Sequence, residues 1–184
     1  MKKYFIWIGL IFLTVPALSQ VRYYTKAGRI SFESKAELEN IEAINKSVTA
    51  VLEPASGKLQ FSVIIRGFEF HKALMQEHFN ENYLESHKFP KANFSGIISN
   101  SSSIAAMADG IHTVEAGGEL TIHGITRPVN IPGTITVTDG KLLLNSEFEI
   151  TVANYNIKIP ALVRNKIART VKVRVNCRLE PLTR

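Results

Sequence analysis

An antiparallel all-β domain with one or two short helices, built as a sandwich or a barrel, is the fold class this sequence predicts. Three observations carry it. First, apolar and polar residues alternate with period two through most of the chain. The clearest case is "VKVRVNCRLE", where Val171, Val173, Val175, Cys177 and Leu179 share one face and Lys172, Arg174, Asn176, Arg178 and Glu180 the other. A helix would scatter those five apolar side chains around its circumference. Second, the runs are separated by short turn signals. Pro54-Ala55-Ser56-Gly57 is one, and Thr138-Asp139-Gly140-Lys141 is another, with the Asp-Gly pair that favours positive φ. Third, 184 residues at 45% hydrophobic and 21% charged suit one core rather than two.

Residues 1–19 stand apart from that core. Lys2 and Lys3 form a basic start, Tyr4 to Val15 is apolar apart from Gly9 and Thr14, and Ala17-Leu18-Ser19 puts small residues before Gln20. This is the layout of a secretory signal peptide, cleaved ahead of a mature domain spanning 20–184. The apolar run is shorter than the roughly 20 residues that span a bilayer. The expected location is therefore periplasmic or secreted. Export meets an oxidising compartment, yet Cys177 is the single cysteine, so packing alone must hold the fold. Removing Lys2 and Lys3 lowers the net charge from +6 to +4, a mildly basic balance that does not point to nucleic acid.

Along the mature chain, strands are expected at Arg29 to Glu33, Ser47 to Leu52, "KLQFSVII" from Lys58, Ala92 to Ile98, Thr113 to Ile122, Val129 to Val137, "KLLLNSEFEI" from Lys141, and the final run to Glu180. Gly117-Gly118 inside one of them suggests a bulge, and Gly124 to Pro128 reads as a connection. Two segments break the alternation. In "HKALMQEHFNENYLESHKF", from His71 to Phe89, helical spacing puts Leu74, Met75, His78, Phe79, Asn82 and Tyr83 on one stripe. Ala73, Glu77, Asn80 and Glu81 fall opposite. The second segment is "ALVRNKIART", Ala161 to Thr170, where Leu162, Ile167 and Ala168 form the apolar side of a turn or short helix after Pro160.

Reactive chemistry finds little support. His71 and His78, seven apart, are separated by about 10 Å along a helix, too far to share an ion whose donors sit near 2 Å. No His-Glu-x-x-His spacing, no Gly-x-Ser-x-Gly elbow and no glycine-rich phosphate loop occurs. His87, His112 and His123 are isolated, Ser101-Ser102-Ser103 reads as a polar loop, and Cys177 alternates inward with valines as a small hydrophobe. No catalytic residue, metal ligand or cofactor is assigned. Arg164, Lys166 and Arg169 lead into Lys172, Arg174 and Arg178. The preferred reading is a solvated strand face; the alternative is transient contact with a membrane surface through anionic headgroups.

Two stretches together resemble the YceI-like family. In "GELTIHGITRPVNIPGTIT" the matching positions are Gly118, Leu120, Thr121, Ile122, Gly124, Thr126, Pro128 and Val129. In "HFNENYLESHKFPKANFSG" they are Phe79, Phe89, Pro90, Phe94 and Gly96, and the resemblance extends over about residues 29–180. It implies a lipocalin-like antiparallel β-barrel of about eight strands around an elongated apolar interior that binds long isoprenoid lipids. Under that resemblance the barrel lining is expected to include Leu59, Phe61, Val63, Phe94, Leu120, Ile122, Leu144, Phe148 and Ile150, with Leu74, Met75 and Phe79 on a covering helix. The expected partner is an apolar lipid-like molecule, held without catalysis; a barrel with a packed interior and no ligand is the alternative. Many family members carry an Asp-x-x-His-Ser element ahead of the first long strands. Here "TKAGRISFESKAELENIEAINKSV" stands in its place, so the identity of the lipid is not carried over.

Overall fold

A computed structural model describes residues 21–99 and 108–182. The proposed signal peptide and the serine run at 101–103 lie outside the described residues. Among the described residues nine strands follow one another: β1 (Tyr23–Lys35), β2 (Asn40–Glu53), β3 (Lys58–Ile64), β4 (Phe68–Phe70), β5 (Lys91–Ile98), β6 (Gly110–Ile122), β7 (Ile125–Thr138), β8 (Lys141–Thr151) and β9 (Thr170–Pro181). Each pairs antiparallel with its neighbours in the order β1-β9-β8-β7-β6-β5-β3-β2, and β1 pairs with β2 to close the ring. The result is a closed eight-stranded antiparallel barrel, with β4 as a short addition on β2. Closure removes the free edges that an open sheet would expose.

The turns explain the strand ends. Asp139 (φ 50°) and Gly140 (φ 70°) form the β7–β8 turn, and both adopt the left-handed region that a two-residue hairpin requires. His123 (φ 50°) and Gly124 (φ 72°) do the same between β6 and β7. The connection expected over Gly124 to Pro128 is therefore shorter, and Ile125 already pairs with Ile122. Pro128 and Pro132 are tolerated inside β7 because β8 pairs only with Thr134–Thr138. With Ile122 and Ile125 as the first hydrogen-bonded pair, the N–H positions of residues 128 and 132 face that unpaired side, where a proline sacrifices nothing.

The bulge expected at Gly117-Gly118 is absent, since Ile98 to Asn93 pair with Ala116 to Thr121 without a shift. The glycines serve close approach instead. A Cβ on Gly118 would lie 2.4 Å from the Gly96 Cα, and one on Gly96 would lie 2.6 Å from the Gly117 carbonyl oxygen. The irregularity sits in β1, where register shifts flank Gly28. A Cβ there would meet the Cys177 Sγ at 2.5 Å.

At one end of the barrel lie the turns 54–57 and 139–140. At the other lie the β1–β2 connection, the helical segment between β4 and β5, the 123–124 turn and the long β8–β9 connection. The first end is solid: Val48, Ala50, Leu52, Ile135, Cys177 and Leu179 are fully buried. Burial lifts the Cys177 thiol to about 11, so it remains a neutral packing group. The other end is where the interior opens.

Candidate functional site: an apolar cavity under a helical cover

The barrel interior holds a cavity of about 500 Å³ at its open end. Its walls come from the inward positions of the strands. Ile30 and Phe32 on β1 and Val171 and Val173 on β9 line it, as do Phe148 and Ile150 on β8. Period-two alternation puts these apolar groups inward while Arg174, Glu147 and Glu33 form ion pairs outside. A smaller cavity of about 100 Å³ continues toward the solid end. Ile30, Val63, Ala92, Leu120 and Phe148 border both and form the waist between them.

The cover is α1 (Ala73–His78) followed by a π-helical turn over Phe79–Tyr83. In that wider turn the Leu84 N–H donates to the Phe79 carbonyl, five residues back. Leu74, Met75, His78, Phe79 and Tyr83 border the cavity, while Ala73, Glu77, Asn80 and Glu81 border a shallow groove on the outside. Of the stripe read from the sequence, Met75, Phe79 and Tyr83 are half-buried over the cavity, Leu74 and His78 border it while exposed, and Asn82 is exposed outside its lining; the helix is also shorter than the stripe suggested. Phe79 anchors it. Its ring packs against Phe32 at 5.5 Å, Phe68 at 5.6 Å and Phe70 at 5.0 Å between centroids, and aromatic pairs of this kind contribute about 0.5–1.5 kcal/mol each beyond area burial.

The chain reaches that position because β3 and β4 are one strand interrupted. After Ile64 a 3-10 turn, Ile65–Gly67, leaves the sheet, and Phe68–Phe70 returns to pair with Asn45–Ala43. Fully buried Asn45 fills the gap: its Nδ2 donates to the Ile64 carbonyl at 2.8 Å and its Oδ1 accepts the Ser47 N–H at 2.9 Å.

A polar latch holds the far end of the cover. His123 Nε2 lies 3.0 Å from Glu85 Oε2, and His123 Nδ1 lies 3.1 Å from the Tyr155 carbonyl oxygen. Each ring nitrogen thus faces an oxygen acceptor, one on the segment after the helix and one on the β8–β9 connection. The Phe89 ring packs edge-on against the same imidazole. Glu85, also left-handed at φ 40°, has its carboxyl held below the ordinary value by hydrogen bonds from Lys88 and then His123. Arg127 adds a bond from its Nε to the Asn154 carbonyl at 2.9 Å. Together these tie the segment after the helix, the β6–β7 turn and the start of the β8–β9 connection.

The residues expected at the lining divide between the two spaces. Leu74, Met75, Phe79, Ile122 and Ile150 border the large cavity alone. Val63, Leu120 and Phe148 sit at the waist, and Leu59, Phe61, Phe94 and Leu144 surround the small one. Phe32, Phe68 and Phe70 were not anticipated, although Phe68 and Phe70 alternate around Glu69; three residues are too few to announce a strand. The β8–β9 connection holds two 3-10 turns, Val152–Tyr155 and Ala161–Val163, the second within the segment read as a turn or short helix. Ile167 faces the cavity as expected, but Leu162 is 90% exposed and Val163 borders the cavity in its place.

Polar groups are few and sit at the rim: Glu39, Lys72 and Lys166 border the opening. The three histidines of the helical region are not gathered. His78 borders the cavity, His87 the outer groove, and His71 precedes the helix, exposed. Among the described residues no three His, Cys, Asp or Glu side chains are grouped to hold a metal ion.

The YceI-like domain profile matches residues 16–179. In structure, the chain is similar to a polyisoprenoid binding domain from Saccharophagus degradans implicated in plant cell wall breakdown. That match has a TM-score of 0.77 at 15% identity and covers 89% of this chain and 99% of the other. It is also similar to BcnA of Burkholderia cenocepacia, with TM-score 0.67, 19% identity and coverage of 83% and 95%. A third similar structure is the YCEI protein of Campylobacter jejuni, with TM-score 0.57, 12% identity and full coverage of both chains. No curated protein sequence matches. The profile spans most of the chain and the barrel is shared with these structures: this chain belongs to the YceI-like family.

Proposed function

We propose that the protein is an exported, non-enzymatic carrier that holds the apolar chain of one isoprenoid or other lipid in the open half of its barrel. The observation that carries this reading is the cavity of about 500 Å³ with almost wholly apolar walls, inside the usual ligand-site range of about 300–1,000 Å³. Each methylene buried there contributes roughly 0.8 kcal/mol, so a chain of about fifteen carbons gains on the order of 12 kcal/mol before the cost of immobilising it. No polar anchor is needed for that affinity. The similar domain from Saccharophagus degradans is described as polyisoprenoid binding, which supports the same class of cargo. The signal-peptide layout of residues 1–19 supports a periplasmic or secreted site of action. The alternative, a packed barrel without ligand, fits only the solid half, where the free space falls to about 100 Å³.

Ala92 at the waist provides a test. Ala92→Trp fills the cavity from β5 without touching the latch. Binding of anthraniloyl-labelled farnesol, followed by fluorescence, should weaken by at least about tenfold, the equivalent of two displaced methylenes, with the melting temperature nearly unchanged. Equal binding by the variant and the native protein would place the ligand elsewhere.

A further inference from the structure

The rim of the open end has a composition that holding a cargo does not require. Among the described residues the most exposed large apolar side chains are Leu162 at 90%, Ile111 at 74%, Leu38 at 63% and Leu74 at 61%. Three of these four are leucines around one opening. Leu38 lies in the β1–β2 connection, Leu74 in the first turn of α1, and Leu162 in the β8–β9 connection. The connections are joined to one another. The Leu38 N–H donates to the Asn165 carbonyl at 2.9 Å, the Ala168 N–H donates to Ser34 Oγ at 2.9 Å, and Lys72 Nζ pairs with Glu39 at 2.9 Å. Single exposed leucines are ordinary on a soluble protein, but a cluster at the entrance of an apolar cavity marks an interaction site.

Charge identifies the partner. Segments 35–39, 71–75 and 157–169 carry Lys35, Lys72, Lys158, Arg164, Lys166 and Arg169 against Glu37 and Glu39 only. Glu39 pairs with Lys72; among the described residues no carboxylate pairs with the other five cations. Elsewhere paired and unpaired cations are mixed: Lys172 and Arg174 pair with Glu147, Arg22 with Glu53 and Lys141 with Glu180, while Lys26, Arg29, Lys58, Arg66, Lys91, Arg127 and Arg178 are in no ion pair among the described residues. What sets the rim apart is that its excess of cations over acids coincides with the exposed leucines. Apolar tips ringed by Lys and Arg are the chemistry of an anionic bilayer surface, where the leucines enter the acyl boundary and the cations meet phosphate groups. A protein partner would need an acidic rim around a matching apolar socket, and nothing on this open, curved lip shapes one.

We propose that this rim docks the protein on anionic membranes, with the cavity mouth facing the bilayer. No helix among the described residues is long and apolar enough to cross a membrane, so the contact is peripheral. The inference goes beyond cargo binding and stands or falls separately from it. The test is flotation of the mature protein with vesicles of phosphatidylglycerol and phosphatidylcholine, against phosphatidylcholine alone. The native protein should bind the anionic vesicles and be released by high salt. Leu38→Ser/Leu162→Ser and, independently, Arg164→Gln/Arg169→Gln should each reduce that binding by about tenfold or more, while uptake of labelled farnesol stays as in the native protein. Native binding that shows no preference for anionic vesicles, or either variant floating like the native protein, would overturn it. Vesicle binding by a protein that takes up no farnesol probe would leave the docking intact and remove the cargo reading; uptake without vesicle binding would do the reverse.

Discussion

Asn45 shows how much a single buried polar side chain carries in this barrel. It is fully buried, and its amide replaces the ladder bonds lost where β3 breaks before β4. Asn45→Ala removes the donor to the part-buried Ile64 carbonyl, which costs about 1–3 kcal/mol. Urea unfolding should show that loss as a lower midpoint with an unchanged slope. A midpoint equal to the native one would mean that water replaces the amide freely. Gly28 and Cys177 form a second residue-scale pair. A Cβ on Gly28 would overlap the Cys177 Sγ, and overpacking of this kind costs about 1–3 kcal/mol. Gly28→Ala should be destabilising by that amount in the native background and clearly less so with Cys177→Ala, a coupling that a double-mutant cycle reads directly. Neither effect was visible in the sequence. Cys177 could be placed inward from its alternation with Val173 and Val175, but the partner 149 positions earlier could not, because contact across β1 and β9 depends on register.

At the scale of elements, regular structure was legible and its interruptions were not. Eight strands and the cavity side of the helical segment, Asn82 excepted, could be read because period two and period 3.6 are local properties of the chain. The β3–β4 break depends on Asn45, 19 residues before Ile64. The latch depends on Glu85 and His123, 38 residues apart, each in a left-handed conformation that their residue types do not announce. The lining on the β8–β9 connection was hidden for a related reason: which of Leu162 and Val163 turns inward follows from how the 3-10 turn sits over the barrel, which the local apolar pattern does not specify. The latch makes a pH prediction. Bonds from Lys88 and His123 hold the Glu85 carboxyl below its ordinary value of 4.5. A depressed carboxyl stabilises the fold above the unfolded value and loses that contribution as pH falls through the folded value. Hydrogen exchange of the cover, residues 73–84, should therefore accelerate below about pH 4.5 in the native protein. Glu85→Gln should already exchange faster at pH 7 and lose most of that acid dependence. Identical profiles for the two proteins would show that the latch does not restrain the cover.

For the whole molecule, one barrel is divided into a solid half and an open half. Leu52, Ile135, Cys177 and Leu179 pack the solid half to full burial and hold a disulfide-free fold together, while the open half leaves its apolar walls around an enclosed space. Large inward residues such as Phe61 and Phe94 were equally compatible with a tunnel running through the barrel or a filled interior. The structure shows a division instead, with these two beside the small cavity and the aromatic group of Phe32, Phe68, Phe70 and Phe79 walling the large one. Alternation identifies which residues face inward; it does not report how closely opposite walls approach, since that is set by barrel closure. The cargo itself is the most direct measurement. Native mass spectrometry of the protein, expressed as the full chain and purified without detergent, should show a one-to-one complex that releases a long apolar molecule on solvent extraction. A protein that carries only its own mass, and that gains none after incubation with prenyl alcohols or fatty acids, would contradict the account.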